Sequence, residues 1–167
     1  MPAFGAMSFR LETERLTMRR WVEADAGTLR ALHAERGGGT PPVAEVRALI
    51  AKQLAASPTT GIALLPIRLR DGGDLIGYCG LIVGRSTLEE PEIAYELFRH
   101  AHGRGYATEA ARAVVDAATA TGRTRLWATV RTWNAASFRV LEKLGFARHH
   151  VTTDDRGELV WLTRALP

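Results

Sequence analysis

The stretch His102–Thr108, with the sequence HGRGYAT, joins a predicted strand over Glu92–Phe98 to the most regular predicted helix of the chain, Tyr106–Thr121. Alanine and valine recur along that helix with the 3.6-residue period of a buried face. Gly103 and Gly105 allow a tight turn before it. The N–H groups of a first helical turn have no partner within the helix, and the positive end of the helix dipole lies behind them. The stretch therefore predicts a turn that binds an anion such as a pyrophosphate.

Strands and helices alternate irregularly on both sides of this turn. The predicted order is β-α-α-β-β-β-α-β-α-β-β, and Asp71–Gly73 marks a hairpin. Strands mixed with a few helices predict an α/β fold with a mixed sheet and helices on its faces. The glycine- and proline-rich stretch Gly37–Pro42 is too short to divide domains and is expected to be a mobile connection. The remaining predicted elements are Thr13–Trp21, Val22–Glu35, Val43–Ala56, Gly61–Arg70, Asp74–Val83, Arg125–Val130, Ala135–Lys143, Phe146–Val151 and Glu158–Leu162.

Length and composition are those of one ordinary globular domain. The chain has 167 residues, of which 46% are hydrophobic and 24% charged. We expect a loose leader over residues 1–8 and a single domain over residues 9–167. No apolar run reaches the length of a membrane span, and the N-terminus has no signal-peptide pattern. We therefore expect a cytoplasmic protein with no membrane partner.

Cysteine and histidine give no sign of a metal centre. Cys79 is the only cysteine, which excludes an internal disulfide and a cysteine-based zinc cluster. Its apolar strand predicts a buried, unreactive side chain. The pairs His100 with His102 and His149 with His150 have no neighbouring cysteine or carboxylate, so we expect no metal.

Basic charge is concentrated around the glycine turn. The net charge is +4, and residues 99–131 alone hold six arginines against Glu109 and Asp116. This excess predicts an anionic partner, with nucleic acid, a phosphorylated cofactor and a merely solvated basic face as alternatives. Aromatic residues make up only 7% of the chain, and the arginines flank the turn. These features favour a phosphorylated cofactor and no nucleic acid.

Several segments together resemble the GNAT superfamily of N-acetyltransferases. The glycine turn is similar to that family's pyrophosphate signature, Arg/Gln-x-x-Gly-x-Gly/Ala, with His102 in the first position. The string Gly103–Ala110 resembles the RimJ/RimL-like branch, which acetylates ribosomal-protein and peptide N-termini. Thr13–Arg19, Leu75–Gly80 and the segment from Trp133 to Phe146 resemble the same branch, in the expected order.

The resemblance implies a fold, a donor and a donor site. The implied fold is a mostly antiparallel sheet with about four helices and a splayed central strand pair, and a homodimer is a family habit. The implied cosubstrate is acetyl-CoA, without a metal, and the implied partner is an amine acceptor. An N–H of Glu96–Phe98 would stabilise the oxyanion, and the pantetheine arm would pair with that strand. The residues implied in binding the donor are Leu97, Phe98, Arg99, His102, Gly103, Arg104, Gly105, Tyr106, Ala107, Thr108, Asn134 and Ser137.

The catalytic candidates are two glutamates and a serine. An amine with a pKa of about 10 is mostly protonated at pH 7, so a base is useful. Glu92 and Glu96 would share one strand face, and the resemblance points to Glu92, although either could be a plain surface carboxylate. Ser137 is the candidate donor to the leaving thiolate, because Leu141 stands where many family members carry a tyrosine. A serine bonded to its own helix, or water as the acid, remains the alternative, and Asn134 is typical of a helix N-cap as well as of a pantetheine contact.

Three functions remain open from the sequence. Acetylation of peptide or protein N-termini is the leading one, by branch resemblance alone. Acetylation of small amines such as aminoglycosides, polyamines or amino acids is the alternative among enzymes. The absence of a tyrosine at Leu141 also leaves room for a domain that binds acyl-CoA without catalysis.

Overall fold

The computed structural model describes residues 4–167, and eight strands within these residues form one sheet. They run in the order β1-β2-β3-β4-β5-β6-β8-β7, and four helices flank them. The strands are β1 Arg10–Glu12, β2 Leu16–Arg19, β3 Leu64–Leu69, β4 Leu75–Ile82, β5 Glu92–Leu97, β6 Arg125–Arg131, β7 Ala147–Asp154 and β8 Gly157–Ala165. The helices are α1 Ala26–Ala34, α2 Val43–Thr60, α3 Tyr106–Ala120 and α4 Ala135–Lys143.

The sheet is antiparallel except at its centre, where β5 and β6 run parallel and separate. Glu92 and Trp127 are the only residues that pair these two strands, with one further backbone bond from Trp127 N–H to Pro91 at 3.0 Å. By contrast, β5 pairs with β4 along its whole length. A V-shaped opening therefore begins after Glu92, the first residue of β5, and after Trp127, the third residue of β6, which confirms the expected splayed pair.

Two apolar clusters place the helices on opposite faces of the sheet. The larger cluster packs α3 and α4 against strands β2 to β6 and β8, and the alanine-rich face of α3 is fully buried in it. The smaller cluster holds α1 and α2 around Trp21 and Phe98. Leu97 and Phe98 are neighbours in sequence but belong to different clusters, as the alternation of side chains requires. The opening between β5 and β6 is therefore reached from two chemically different faces.

Most element positions match the sequence prediction, and the exceptions have local causes. The predicted strand Thr13–Trp21 is shortened to β2, because Thr13 makes a turn in which its N–H donates to the carbonyl of Leu16 at 2.9 Å. The three-residue strand β1 was not predicted, since so short a strand shows no alternation. Helix α2 continues past the predicted end at Ala56 to Thr60, and Gly61 then caps it in the left-handed conformation.

The expected loose leader is only partly within the described residues, and that part is docked. Residues 1–3 lie outside them. Met7 is buried, and its N–H donates to the carbonyl of Gly61 at 2.9 Å, while the N–H of Gly5 donates to Thr121 at 2.9 Å. Within residues 4–167 no helix is both long and apolar enough to cross a membrane.

Candidate active site

The inner edge of β5 presents backbone groups to the opening. Phe98 donates its N–H to the carbonyl of Ile76 on β4 at 2.9 Å. Because successive residues of a strand direct their N–H groups to opposite edges, Leu97 and Tyr95 direct theirs toward β6, which has already diverged. Of the three donors expected for the oxyanion, Leu97 is therefore the one that faces the opening, whereas Phe98 is bonded to β4.

The glycine turn lies at the same end of β5. Gly103 and Gly105 have φ of 75° and 80°, a left-handed conformation that favours glycine. Helix α3 begins at Tyr106, and its first internal bond is from Glu109 N–H to Gly105 at 3.0 Å. Within residues 4–167 no group accepts from the N–H of Tyr106, Ala107 or Thr108. These three donors form the free N-terminus that an anion would contact.

The basic residues are distributed differently from the prediction. Four of the six arginines in residues 99–131 are engaged away from the turn, so the charge excess does not form one patch. Arg99 donates to the Glu35 carbonyl at 2.7 Å, Arg123 to Leu88 at 3.0 Å, Arg125 to Thr163 at 2.9 Å and Arg131 to Asp154 at 2.8 Å. Arg104 is exposed within the turn. Arg112 and Lys143 line a cavity of about 370 Å³ beside it, together with Glu14, Arg15, Gly105, Thr108 and Glu109.

His102, where the family signature has glutamine or arginine, contacts the opening rather than the turn. Its Nε2 lies 2.9 Å from the carbonyl oxygen of Leu97. Leu97 therefore has its carbonyl engaged by His102 while its N–H faces the opening. The imidazole ties the end of β5 to the start of the turn.

Glu92 is a buried structural acceptor at the closed end of the opening. Its side chain is 3% exposed. One carboxylate oxygen accepts from the Thr129 hydroxyl at 2.8 Å, and the other accepts the N–H of Arg85. Gly84 packs so closely on this carboxylate that a Cβ there would clash with it. The carboxylate that the resemblance favours as the base is thus fully engaged in holding β6 and the loop after β4.

Glu96 lies four residues further along β5, about 13 Å from Glu92 along the strand. Its carboxylate faces α1 and accepts two hydrogen bonds of 2.8 Å from Arg36, one from Nε and one from Nη2. The Tyr78 hydroxyl lies 3.3 Å from the same carboxylate, and burial raises the pKa of Tyr78 to about 12, so this hydroxyl stays protonated. Arg36 directly precedes three glycines, Gly37–Gly39, that all have positive φ. The side chain of Glu96 is 26% exposed at the open end of the strands. It is held by Arg36, which lies at the start of a glycine-rich loop.

On the opposite face, Ser137 and Tyr95 form a hydroxyl pair. Tyr95 Oη lies 2.9 Å from Ser137 Oγ. Ser137 therefore bonds across to β5, which differs from the alternative of a serine bonded to its own helix. Asn134 accepts the N–H of Ser137 at 3.2 Å, as an N-cap does, and Leu141 is buried in the core. Burial raises the pKa of Tyr95 to about 12, so its hydroxyl also stays protonated.

Sequence reasoning did not identify the side chains that bond Glu96 and Ser137. Arg36 and Tyr78, which contact Glu96, come from other elements, and Tyr95, which contacts Ser137, lies on β5 itself. No local pattern marks these contacts. Trp133 is 78% exposed beside the start of α4. No cluster of three or more potential metal ligands occurs in residues 4–167.

Comparison with known proteins bears on the family and the fold. The family model of the acetyltransferase (GNAT) domain matches residues 15–147. An acetyltransferase structure from Agrobacterium tumefaciens strain C58 is 30% identical, with 93% of each chain covered and a TM-score of 0.78. The structure of RimL, a ribosomal L7/L12 alpha-N-protein acetyltransferase in complex with coenzyme A, is 13% identical, with 94% of this chain and 98% of that chain covered and a TM-score of 0.81.

A phosphinothricin acetyltransferase from Sinorhizobium meliloti, in complex with acetyl-CoA, is 21% identical, with 90% of this chain and 88% of that chain covered and a TM-score of 0.75. No curated protein matches the sequence. The family model covers most of the chain, including the glycine turn and both splayed strands. The chain belongs to the GNAT family of acetyltransferases.

Proposed function

We propose that the protein transfers the acetyl group of acetyl-CoA to a primary amine and that the acceptor is a peptide or protein N-terminus. The observation that carries the donor assignment is the free N-terminus of α3 next to the edge of β5 that β6 leaves open. An extended arm that ends in a pyrophosphate fits these two sets of donors, the N–H groups of Tyr95 and Leu97 and those of Tyr106–Thr108. Arg112 and Lys143 line the cavity beside the turn, and Arg104 is exposed within the turn, so all three supply positive charge near it.

We assign the base to Glu96 and keep Glu92 as the second candidate. Glu96 is partly exposed at the open end of the strands, whereas both oxygens of Glu92 already accept hydrogen bonds in the core. Both carboxylate oxygens of Glu96 accept hydrogen bonds from Arg36, so Arg36 has to leave before an amine can reach them. Binding of the acceptor would therefore displace Arg36, and the glycines that follow it permit that movement.

Ser137 supplies the proton on the leaving side. The amine nitrogen attacks the thioester carbon, the new N–C bond forms as the C–S bond breaks, and a nitrogen proton passes to Glu96, directly or through water. The sulfur takes the proton of the Ser137 hydroxyl, Tyr95, 2.9 Å away, passes its own proton to Ser137, and the proton taken up by Glu96 returns to Tyr95 through water, which restores the site. Leu97 N–H is directed toward the position where the oxyanion develops.

The acceptor assignment rests on the resemblance of Gly103–Ala110 to the branch that acts on N-termini and on the fold shared with RimL. The fold alone does not decide between acceptors, since the phosphinothricin acetyltransferase from Sinorhizobium meliloti is similar to the chain to nearly the same degree. A small-molecule amine is therefore the competing acceptor.

Thiol release from acetyl-CoA, with two acceptor pools, tests the proposal. One pool holds short peptides with small free N-terminal residues, and its matched control holds the same peptides with blocked N-termini. The other pool holds aminoglycosides, polyamines and amino acids. Release with free peptides alone supports the proposal, and release with the second pool alone replaces the acceptor by a small amine. No release in either pool, together with no binding of acetyl-CoA in calorimetry, would refute the donor assignment as well.

A further inference from the structure

Arg15, in the turn between β1 and β2, is bonded to the glycine turn more than 80 residues away. Its Nε donates to one carboxylate oxygen of Glu109 at 2.7 Å, and its backbone N–H donates to the other at 3.0 Å. Its Nη1 donates to the carbonyl of Arg104 at 2.9 Å. Its guanidinium carbon lies 4.4 Å from the centre of the Tyr106 ring. One side chain thus contacts the middle of the turn, the first helical residue and the first turn of α3.

Glu109 is the other half of this arrangement. Besides Arg15, its carboxylate accepts a hydrogen bond from the hydroxyl of Thr13, which belongs to the same turn as Arg15. Burial alone would raise the pKa of Glu109, but the hydrogen bonds from Thr13 and Arg15 outweigh it and lower the pKa. The carboxylate therefore stays charged and bonded across the physiological range.

We propose that Arg15 is a positioning residue for the donor site, which holds the glycine turn in its binding conformation through Glu109 and the Arg104 carbonyl. A turn that contains two glycines with positive φ has many other conformations available, and ordering it on binding would weaken affinity. Arg15 removes this cost by ordering the turn beforehand. The inference rests on the proposed use of acetyl-CoA and is independent of the acceptor.

Because Arg15 is partly exposed, its substitution should affect the order of the glycine turn more than the stability of the fold. Its side chain is 42% exposed, so its removal leaves no buried charge unpaired except at Glu109, which is itself 19% exposed. The variants Arg15→Gln and Glu109→Gln are therefore expected to fold. Arg20→Gln is a matched control: Arg20 follows the same hairpin and also stacks on an aromatic ring, that of Phe9 at 4.4 Å, but makes no hydrogen bond to the glycine turn.

The experiment measures the Kd of acetyl-CoA by calorimetry and, in the free protein, the hydrogen exchange of the amides of residues 109–111, the first amides of α3 that are hydrogen-bonded within the helix. Positioning predicts that Arg15→Gln and Glu109→Gln both weaken binding, by about tenfold, and both accelerate exchange in this segment. Arg15→Lys is expected to lie between wild type and Arg15→Gln, because one ammonium group cannot reproduce the fork of contacts to Glu109 and Arg104. Arg20→Gln is expected to leave both quantities unchanged.

Glu109→Gln decides between positioning and simple charge attraction. This variant makes the surroundings of the turn more positive, so if Arg15 acted only by attracting phosphate, Glu109→Gln would tighten binding. Tighter binding by Glu109→Gln, or wild-type Kd values and exchange rates in both variants, would overturn the inference. If the wild-type protein itself binds no acetyl-CoA, the donor assignment fails instead, and the two failures are thereby distinguished.

Discussion

Glu92 and Glu96 give a matched pair of substitutions on one strand, because they differ in burial and partners but not in chemistry. In Glu92→Ala, the N–H of Arg85 and the hydroxyl of Thr129 both lose their acceptor. A hydrogen bond to a charged group contributes about 1.5–3 kcal/mol, and exposure of the freed groups to water returns part of that loss, so we expect a loss of about 2–4 kcal/mol in the free energy of unfolding. For a chain of this size, such a loss lowers Tm by roughly 5–15 °C.

Glu92→Gln serves as the rescue variant. The glutamine oxygen can still accept the N–H of Arg85, and its amide can donate to the hydroxyl of Thr129, which accepts as readily as it donates. Most of the stability should therefore return. If Glu92 is only structural, turnover should return with it.

Glu96→Gln should show the opposite behaviour. The side chains of Arg36 and Glu96 are 50% and 26% exposed, and ion pairs that water reaches contribute about 0–1 kcal/mol, so Tm should stay within roughly 3 °C of wild type. Loss of a general base should lower kcat by about 100-fold or more. The measurements are thermal unfolding and steady-state thiol release on the same preparations. A Glu92→Gln protein with wild-type Tm and a larger loss of kcat than Glu96→Gln would refute the assignment and return the base to Glu92.

Three other predictions concern the remaining polar groups. Tyr95→Phe and Ser137→Ala should each lower kcat by roughly tenfold and the double variant by little more, since both act through one hydroxyl pair; additive losses in steady-state kinetics would contradict a shared role. Because burial raises the pKa of the Cys79 thiol, a thiol reagent should label native protein slowly and label it fully after unfolding in guanidinium, and rapid labelling of the native form would show that this strand is accessible. Since hydrogen bonds lower the pKa of Glu109 in the folded state, its contribution is present above the ordinary carboxyl pKa of about 4.3 and is lost as pH falls through the lower folded value. In calorimetric titrations, the affinity of the wild-type protein for the donor should therefore not vary with the protonation of Glu109 near neutral pH and should weaken only in acid, a fall that Glu109→Gln should not show.

Features with a short sequence period were predictable. The left-handed glycines of the turn, the small-residue face of α3 and the shared face of Glu92 and Glu96 follow from patterns that span fewer than 16 residues. Among the three residues expected to supply the oxyanion donor, the N–H of Leu97 is selected once the hydrogen bond from Phe98 to Ile76 is known, because N–H groups alternate strictly along a strand. Helix and strand periodicity determine the direction of a side chain or an N–H group. That direction identifies the group's contact only when the contact lies in the same element or the adjacent one.

Charge counting along the sequence misled for a related reason. The six arginines within residues 99–131 suggested one basic surface. That segment, however, runs from the end of β5 through α3 to the end of β6, so its arginines lie in different parts of the molecule. Arg123 is 2% exposed and Arg99 is bonded to the end of α1. Residues that are close in sequence are reliably close in space only within one element. These six arginines lie in α3, in β6 and in the segments that precede them.

Two arginines hold the candidate site from distant parts of the sequence. Arg36 bonds Glu96, 60 residues later, and Arg15 bonds Glu109, 94 residues later, but the two arginines differ in how firmly they are held. Arg15 is bonded to Glu109 by its side chain and its own backbone and to the Arg104 carbonyl, and it stacks on Tyr106, so several contacts hold it in one position. Arg36 is bonded to Glu96 and the Tyr78 hydroxyl, but the residues that follow it are three glycines with open space around them. Under the two proposals above, the donor site is ordered before the donor binds, whereas the carboxylate proposed as the base is held by a side chain that the acceptor displaces. That asymmetry agrees with an enzyme that binds its donor first and exposes its base only when an amine competes for Glu96.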